Sequence, residues 1–405
     1  MRILVVTQYF WPESFIINGL VSELTKRGHQ VEVLTGLPNY PAGTFFSGYS
    51  LLSGPWNESY HGATVHRAFL LPRGKGFVRL AFNYFSFVVG GCFKLLFLKA
   101  EFDVIFCYAP SPVTACLPAI FARWLSKKPL VFWVQDLWPE SISAVGAIKS
   151  EKAIELVGKL VTYIYKRCDH LLLQSEAFKA SILDWGGTTN KISYVPNWAD
   201  PFESSTDIPA WVNDLPEGFK IGFAGNIGKA QDMRTLLSTA EMLKEHKEIK
   251  WIIAGDGSEK LWLEDEIKNR KLEAHIFTVG RKPYGEMLPF FKTCNALYVS
   301  LTDEPIFNLT IPAKVQAYMS AGIPIIGSLS GEGARIIELA GAGLCAPASQ
   351  PSVLAAKVLK LINLANDERE AMGKNGVKYF NENFERGKVV SKIESILETA
   401  KWTQA

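Results

Sequence analysis

Met1–Thr35 reads MRILVVTQYFWPESFIINGLVSELTKRGHQVEVLT. A short apolar run, Ile3–Thr7, has strand composition. A loop, Gln8–Ser14, follows it and leads into an amphipathic stretch, Phe15–Arg27. Gly28 stops that stretch, and a second strand run follows at Gln30–Thr35. Strand runs alternating with longer amphipathic stretches are the signature of a parallel sheet wrapped in helices. The pattern continues with strands expected at Val104–Tyr108, Leu130–Val134 and His170–Gln174, and helices at Pro112–Leu125 and Glu151–Lys166.

After Pro196-Asn197-Trp198 the periodicity fails. Ala199–Gly218 carries Pro201, Ser204, Ser205, Pro209 and Pro216 among acidic residues, as an interdomain linker would. Alternation restarts with strands expected at Lys220–Ala224, Lys250–Ala254, His275–Val279, Ala296–Ser300 and Pro324–Ile326. This reading gives an α/β chain with an N-terminal Rossmann-like domain over 1–198, a linker over 199–218 and a C-terminal Rossmann-like domain over 219–377. A terminal helix over 378–405 is expected to pack back on the first domain. Two such domains would face one another across a cleft, with ligands at the carboxyl ends of the strands.

The bulk properties fit this plan. The 405 residues suffice for two ordinary domains, and 48% hydrophobic with 20% charged residues is globular composition. A net charge of +3 gives no basis for nucleic-acid binding. The six cysteines are widely spaced, with no C-x-x-C pair, and read as reduced residues of a cytoplasmic protein. The opening apolar run is too short for a signal peptide, so export is not expected. Leu80–Leu98 is almost wholly apolar apart from Asn83, Ser86 and Lys94. Because it sits between strands of one sheet, it is read as a helix either buried or lying on a membrane surface. Arg73, Lys75 and Arg79 at its start, interleaved with Phe77, Phe82 and Phe85, favour docking on an anionic leaflet.

Chemistry is expected in the loops after strands. In the first domain these offer Glu13, the proline-stiffened Asn39-Tyr40, and the run Gln135-Asp136-Leu137-Trp138-Pro139-Glu140-Ser141. Asp136 and Glu140 are candidate catalytic carboxylates, since a carboxylate accepts the proton of an attacking hydroxyl. Glu13, Asn39, Tyr40 and Trp138 are candidate acceptor contacts, aromatic faces being suited to sugar rings. In the second domain Gly225-Asn226-Ile227-Gly228-Lys229 lies between strand and helix, where glycines let backbone N–H groups approach a phosphate. Arg281 could neutralise a leaving diphosphate. Lys314 falls in a first helical turn, where a lysine opposes the helix dipole and a bound anion would account for it. Gln316 follows two residues on. Gly255-Asp256-Gly257 reads as a structural turn.

These motifs resemble the family-four retaining glycosyltransferases of the GT-B fold over nearly the whole chain. The likeness rests on Pro12-Glu13, Arg27-Gly28-His29, the glycine loop at Gly225, Gly255-Asp256-Gly257 and the run from Lys314 to Pro324. Leu37-Pro38-Asn39-Tyr40-Pro41, the Gln135–Ser141 run and Pro312-Ala313-Lys314-Val315-Gln316 are similar to a bacterial surface-polysaccharide subgroup that includes L-fucosamine transferases. The resemblance implies a UDP-sugar held by the second domain and a polyprenyl-diphosphate-linked acceptor held by the first. It also implies no cofactor and no metal, work at the inner face of the bacterial inner membrane, and a product in O-antigen or capsule. The sequence holds no D-x-D pair for a bridging metal. It departs from the family in one respect. Where two glutamates eight positions apart are usual, it has Leu309 and Ala317, leaving Gln316, Asp303 and Glu304 as candidates for the ribose contact. Gln135 stands where a histidine is usual. Two other readings stay open, a nucleotide-sugar epimerase of the same fold and a non-catalytic nucleotide-sugar-binding scaffold.

Overall fold

The structure is a computed structural model that describes residues 1–74, 76–144, 150–200, 202 and 208–402. Lys75, residues 201 and 203–207 of the expected linker, and residues 403–405 of the expected terminal helix lie outside the described residues. The chain divides into two compact units, Met1–Asn197 with Val389–Ala405, and Trp198–Lys388.

The first unit is built in chain order from β1 (Arg2–Val6), α1 (Ile16–Lys26), β2 (Gln30–Gly36), β3 (Asn57–Tyr60), β4 (Ala63–Ala68), α2 (Phe77–Leu96), β5 (Val104–Ala109) and α3 (Cys116–Ser126). It continues with β6 (Leu130–Val134), α4 (Glu140–Ala144), α5 (Glu151–Arg167), β7 (His170–Leu173), α6 (Phe178–Asp184) and β8 (Ile192–Tyr194). The sheet runs β3-β4-β2-β1-β5-β6-β7-β8 and is parallel except for β3. Strands buried on both faces need continuous apolar runs, which is why Ile3–Val6 and Val104–Cys107 read as they do. The sequence reading lacked the β3–β4 hairpin. Asn57–Tyr60 carries little apolar signal, and the alternation of β4 is interrupted by Arg67. That guanidinium is fully buried and is held by Glu58, the Gly36 carbonyl and the Trp11 carbonyl.

The second unit follows with α7 (Ala210–Asn213), β9 (Phe219–Asn226), α8 (Met233–Met242), β10 (Ile249–Asp256), α9 (Lys260–Asn269), β11 (Ile276–Gly280), α10 (Met287–Thr293) and β12 (Ala296–Ser300). Next come α11 (Pro305–Asn308), α12 (Ala313–Ala321), β13 (Ile325–Ser328), α13 (Gly331–Leu339), β14 (Gly343–Ala346), α14 (Pro351–Asn363) and α15 (Asn366–Asn383). Its sheet is wholly parallel in the order β11-β10-β9-β12-β13-β14. That is the doubly wound order, with the reversal between β9 and β12; the first sheet reverses between β1 and β5. One core of this unit packs Ile221, Phe223, Trp251, Ile253 and Tyr298 of the strands against Leu236 and Leu354 of the helices.

The single terminal helix expected over 378–405 is two. It stops after Asn383, and α16 (Arg386–Trp402) starts anew. The Glu385 carboxylate causes the restart by accepting the Gly387 and Lys388 N–H groups at 2.8 and 2.9 Å, as a cap does. In the first unit, Val390, Ile393 and Leu397 of α16 are buried. Glu394 there binds Arg27 at 2.8 Å and His29 at 2.6 Å.

Candidate functional site

Each unit carries a pocket beside the carboxyl ends of its strands. The pocket of the second unit has a volume of about 590 Å³. Its walls are Ala224-Gly225-Asn226 at the end of β9, Gly255-Asp256 at the end of β10, Arg281, Lys282 and Tyr284 beyond β11, and Ala313, Lys314 and Ala317 of α12. Pro312 starts α12 and places Lys314 in its first turn. The lysine stem then crosses Gly225, whose φ of +141° and missing side chain make the crossing possible. A Cβ there would sit 2.7 Å from Lys314 Cε. Lys314 Nζ donates to the side-chain oxygen of Gln231 and lies 4.4 Å from the centroid of the Phe223 ring. Burial lowers its pKa to about 8. Lys314, Arg281 and Lys282 stand here against one lining carboxylate, Asp256, whose Oδ1 accepts the Gly257 N–H. Such a cationic pocket at a strand switch point suits a diphosphate.

Gly225, Asn226, Arg281 and Lys314 are thus brought together. Gly228, Lys229 and Gln316 are not among the lining residues. Gly228 is backed by the Asn226 amide, Lys229 points to solvent from a 3-10 turn, and Gln316 is buried in α12. Gln231, which reaches Lys314 from the same loop, had no sequence signal of its own. Asp303 and Glu304 also lie off the pocket wall, and Ala317 is on it. Gly255 packs edge to edge with β9, since a Cβ would fall 2.0 Å from the Gly225 carbonyl; the turn is structural and also lines the pocket.

The pocket of the first unit is larger, about 630 Å³, and mostly apolar. Ala81, Val88, Leu117, Ile142, Val157 and Leu160 line it, with Arg73, Tyr84, Ser111, Thr114, Asp136, Trp138 and Ser141 as its polar members. Asp136 stands two residues beyond β6 and accepts a hydrogen bond from the Ser141 hydroxyl. Burial raises its pKa, against the opposing pull of Ser141, Trp138 and the Leu137 N–H. The Tyr84 ring lies 6.3 Å from Trp138. Ser111 carried no prediction, although it stands two residues beyond β5, where the strand-end rule points.

Asp136 and Glu140, expected as a catalytic pair, part company. Glu140 is not among the lining residues, and its Oε1 accepts from Ser181 at 2.6 Å and from the Trp185 indole at 3.1 Å. It ties α4 to α6. Glu13 and Asn39, expected to touch an acceptor, hold loops instead. Glu13 is buried, accepting the Asn39 and Tyr40 N–H groups on Oε1 at 2.8 and 2.7 Å and the Phe10 N–H on Oε2 at 3.1 Å. Burial raises its pKa to about 7. Asn39 is fully buried, and its Oδ1 accepts the Arg73 N–H at 3.0 Å. Tyr40 is half-exposed, with the Arg73 guanidinium 5.3 Å from its ring centroid.

Helix α2 has its polarity reversed. Asn83 and Ser86 face inward, where Asn83 takes a hydrogen bond from Gln8 at 2.7 Å and gives one to the Leu71 carbonyl at 2.6 Å. Ser86 Oγ accepts the Leu71 N–H at 2.9 Å. Outward face Phe77, Val78, Phe82, Phe85, Val89, Phe93 and Leu96, with Phe85 66% exposed. Arg79 is exposed at the start of this face, and Phe87 is buried. No helix among the described residues is long and apolar enough to cross a membrane.

Two doubly wound units with pockets at their strand ends define a GT-B fold. Comparison with known proteins agrees. Residues 15–198 match the glycosyl transferase 4-like domain, and residues 209–379 match the glycosyl transferases group 1. The two matches together cover most of the chain and describe a glycosyltransferase of the GT-B fold, its second unit resembling group 1. The chain is 27% identical to the glycosyltransferase WbjE of Pseudomonas aeruginosa over 62% of its own length, spanning 65% of that relative. It is 24% identical to WcaI of Escherichia coli, a protein named for colanic acid biosynthesis, covering 67% of this chain and 70% of WcaI. Among solved structures, Anabaena HepE with bound UDP superposes with a TM-score of 0.72 at 15% identity, covering 98% of this chain and 100% of HepE. A UDP-forming trehalose-phosphate synthase of Burkholderia vietnamiensis gives 0.74 at 12% identity, covering 100% of this chain and 98% of that one. At these identities the likeness is one of fold.

Proposed function

We propose that the protein is a metal-independent, retaining glycosyltransferase that moves a sugar of N-acetylfucosamine or N-acetylglucosamine type from UDP to a polyprenyl-diphosphate-linked acceptor, in O-antigen or capsule assembly. The observation that carries this reading is the cationic pocket around Lys314, Arg281 and Lys282, with Gly225 clearing the path for the lysine. UDP and UDP-glucose bound to HepE, and the polysaccharide setting in the name of WcaI, support the donor and product classes.

In the reaction the bond from the anomeric carbon to the β-phosphate oxygen breaks, and its electron pair leaves with UDP. The acceptor oxygen bonds to the same carbon on the same face, and its proton passes to the departing phosphate. Lys314 and Arg281 stabilise the charge that develops on the diphosphate. Asp136 orients the acceptor hydroxyl, and Trp138 offers its ring to the sugar. Glu140 is given no such part, because it does not line the pocket and its Oε1 is held by Ser181 and Trp185. The outward aromatic face of α2, with Arg79 at its start, holds the enzyme to an anionic membrane from the cytoplasmic side. Calorimetry of UDP binding in chelator tests the donor assignment. Wild type should bind, and Lys314→Met should bind at least tenfold more weakly; equal binding by both would refute it.

A further inference from the structure

We infer that the apolar pocket of the first unit is a binding site for the isoprenoid chain of the acceptor, with the acceptor's polar end at Arg73, Tyr84 and Asp136. The inference rests on the proposed transferase reading and specifies the substrate class at its acceptor side.

Three observations carry it. The pocket has the volume of a small-molecule site, about 630 Å³, and its lining includes the aliphatic side chains of Leu117, Val157 and Leu160. A sugar alone would leave those side chains unpaired with anything of like polarity, whereas a branched hydrocarbon packs against them. Two of the polar members are chemically specific. The Arg73 cation suits a diphosphate, and the carboxylate of Asp136 suits a sugar hydroxyl. Tyr84 lines the same pocket, its phenol raised in pKa by burial, with Arg73 pulling it down and Asp136 pushing it up. The pocket is also continuous with the outward face of α2. Phe77 and Phe85 line it and are 56% and 66% exposed. A chain leaving a bilayer along α2 therefore meets apolar surface all the way in.

The test is equilibrium binding of isopentenyl, geranyl, farnesyl and geranylgeranyl diphosphate to the full chain, compared with Val88→Trp and Leu160→Trp. Two filling variants are used because either alone could fail to fold; melting temperature identifies a folded one. Burying a methylene is worth roughly fourfold in affinity. Wild type should tighten at least tenfold along the series, and a folded filling variant should lose that dependence. Affinity independent of chain length would overturn the inference. So would a length dependence that survives a folded filling variant but disappears in Phe82→Ser, which would put the chain on the outer face of α2. UDP binding measured on the same samples keeps the two readings apart. Its absence would count against the transferase, while the chain-length series would still decide the pocket's ligand.

Discussion

At the scale of the residue, Lys314 and Glu13 are two buried ionisable groups with opposite consequences. Burial holds Lys314 near pKa 8, so its ammonium form predominates below that pH and is lost above it. UDP affinity should therefore decline as pH rises past about 8, a decline that disappears in Lys314→Met; a flat profile for wild type would exclude the lysine from the diphosphate site. Lys314→Met should also cost on the order of 10²-fold in kcat. Glu13 has a folded pKa of about 7, above its usual 4.5. Between those values the native state keeps a proton that the unfolded chain releases, so this group's contribution falls as pH rises from about 4.5 to 7. Glu13→Gln should remove that part of the stability slope in denaturant titrations and cost about 1–3 kcal/mol, because an amide cannot accept all three backbone N–H groups. Lys314 was legible in the sequence because a lysine in a first helical turn asks for an explanation. Glu13 was legible only as a polar loop residue. Two of its three partners lie 26 and 27 residues away in the chain, a distance no local pattern spans.

At the scale of the element, α2 turns an apolar face outward. Its length and its apolar character were legible in the run Leu80–Leu98. The three-residue spacing of Asn83 and Ser86 says they share a face, but not that the face is the buried one. Only the polar groups beneath, the Gln8 amide and the Leu71 backbone, turn the helix that way. The outward phenylalanines should bind vesicles containing anionic lipid, and Phe82→Ser with Phe85→Ser should weaken co-sedimentation at least tenfold. Arg79→Ala should weaken it about fivefold, corresponding to about 1 kcal/mol per basic residue near the surface. No change in either variant would remove α2 as a docking element. Inside, Gly90 lets α2 approach the chain beyond β4, where a Cβ would fall 2.2 Å from the Phe69 carbonyl. Gly90→Ala should lower stability by about 1–3 kcal/mol in a denaturant titration.

At the scale of the molecule, the fold was legible because parallel sheets buried on both faces write themselves as apolar runs, and ten of these runs were read near their observed places. The β3–β4 hairpin and the grasp of Glu394 by Arg27 and His29 stayed hidden because they depend on polar groups satisfied by distant partners, whereas the break at Glu385 rests on a local cap. The site divided in the same way. Residues on strand ends, Gly225 and Asp136, were found by position, whereas Glu140 and Lys229 had the right chemistry and face elsewhere. The measurement that bears most directly on the central claim is transfer of labelled sugar from a panel of UDP-sugars to a polyprenyl-diphosphate-linked acceptor in the presence of chelator. The account predicts lipid-soluble product with retained anomeric configuration, reduced at least tenfold in Asp136→Asn. Inverted configuration, product only with added metal, or no product from folded protein with verified acceptor would contradict it.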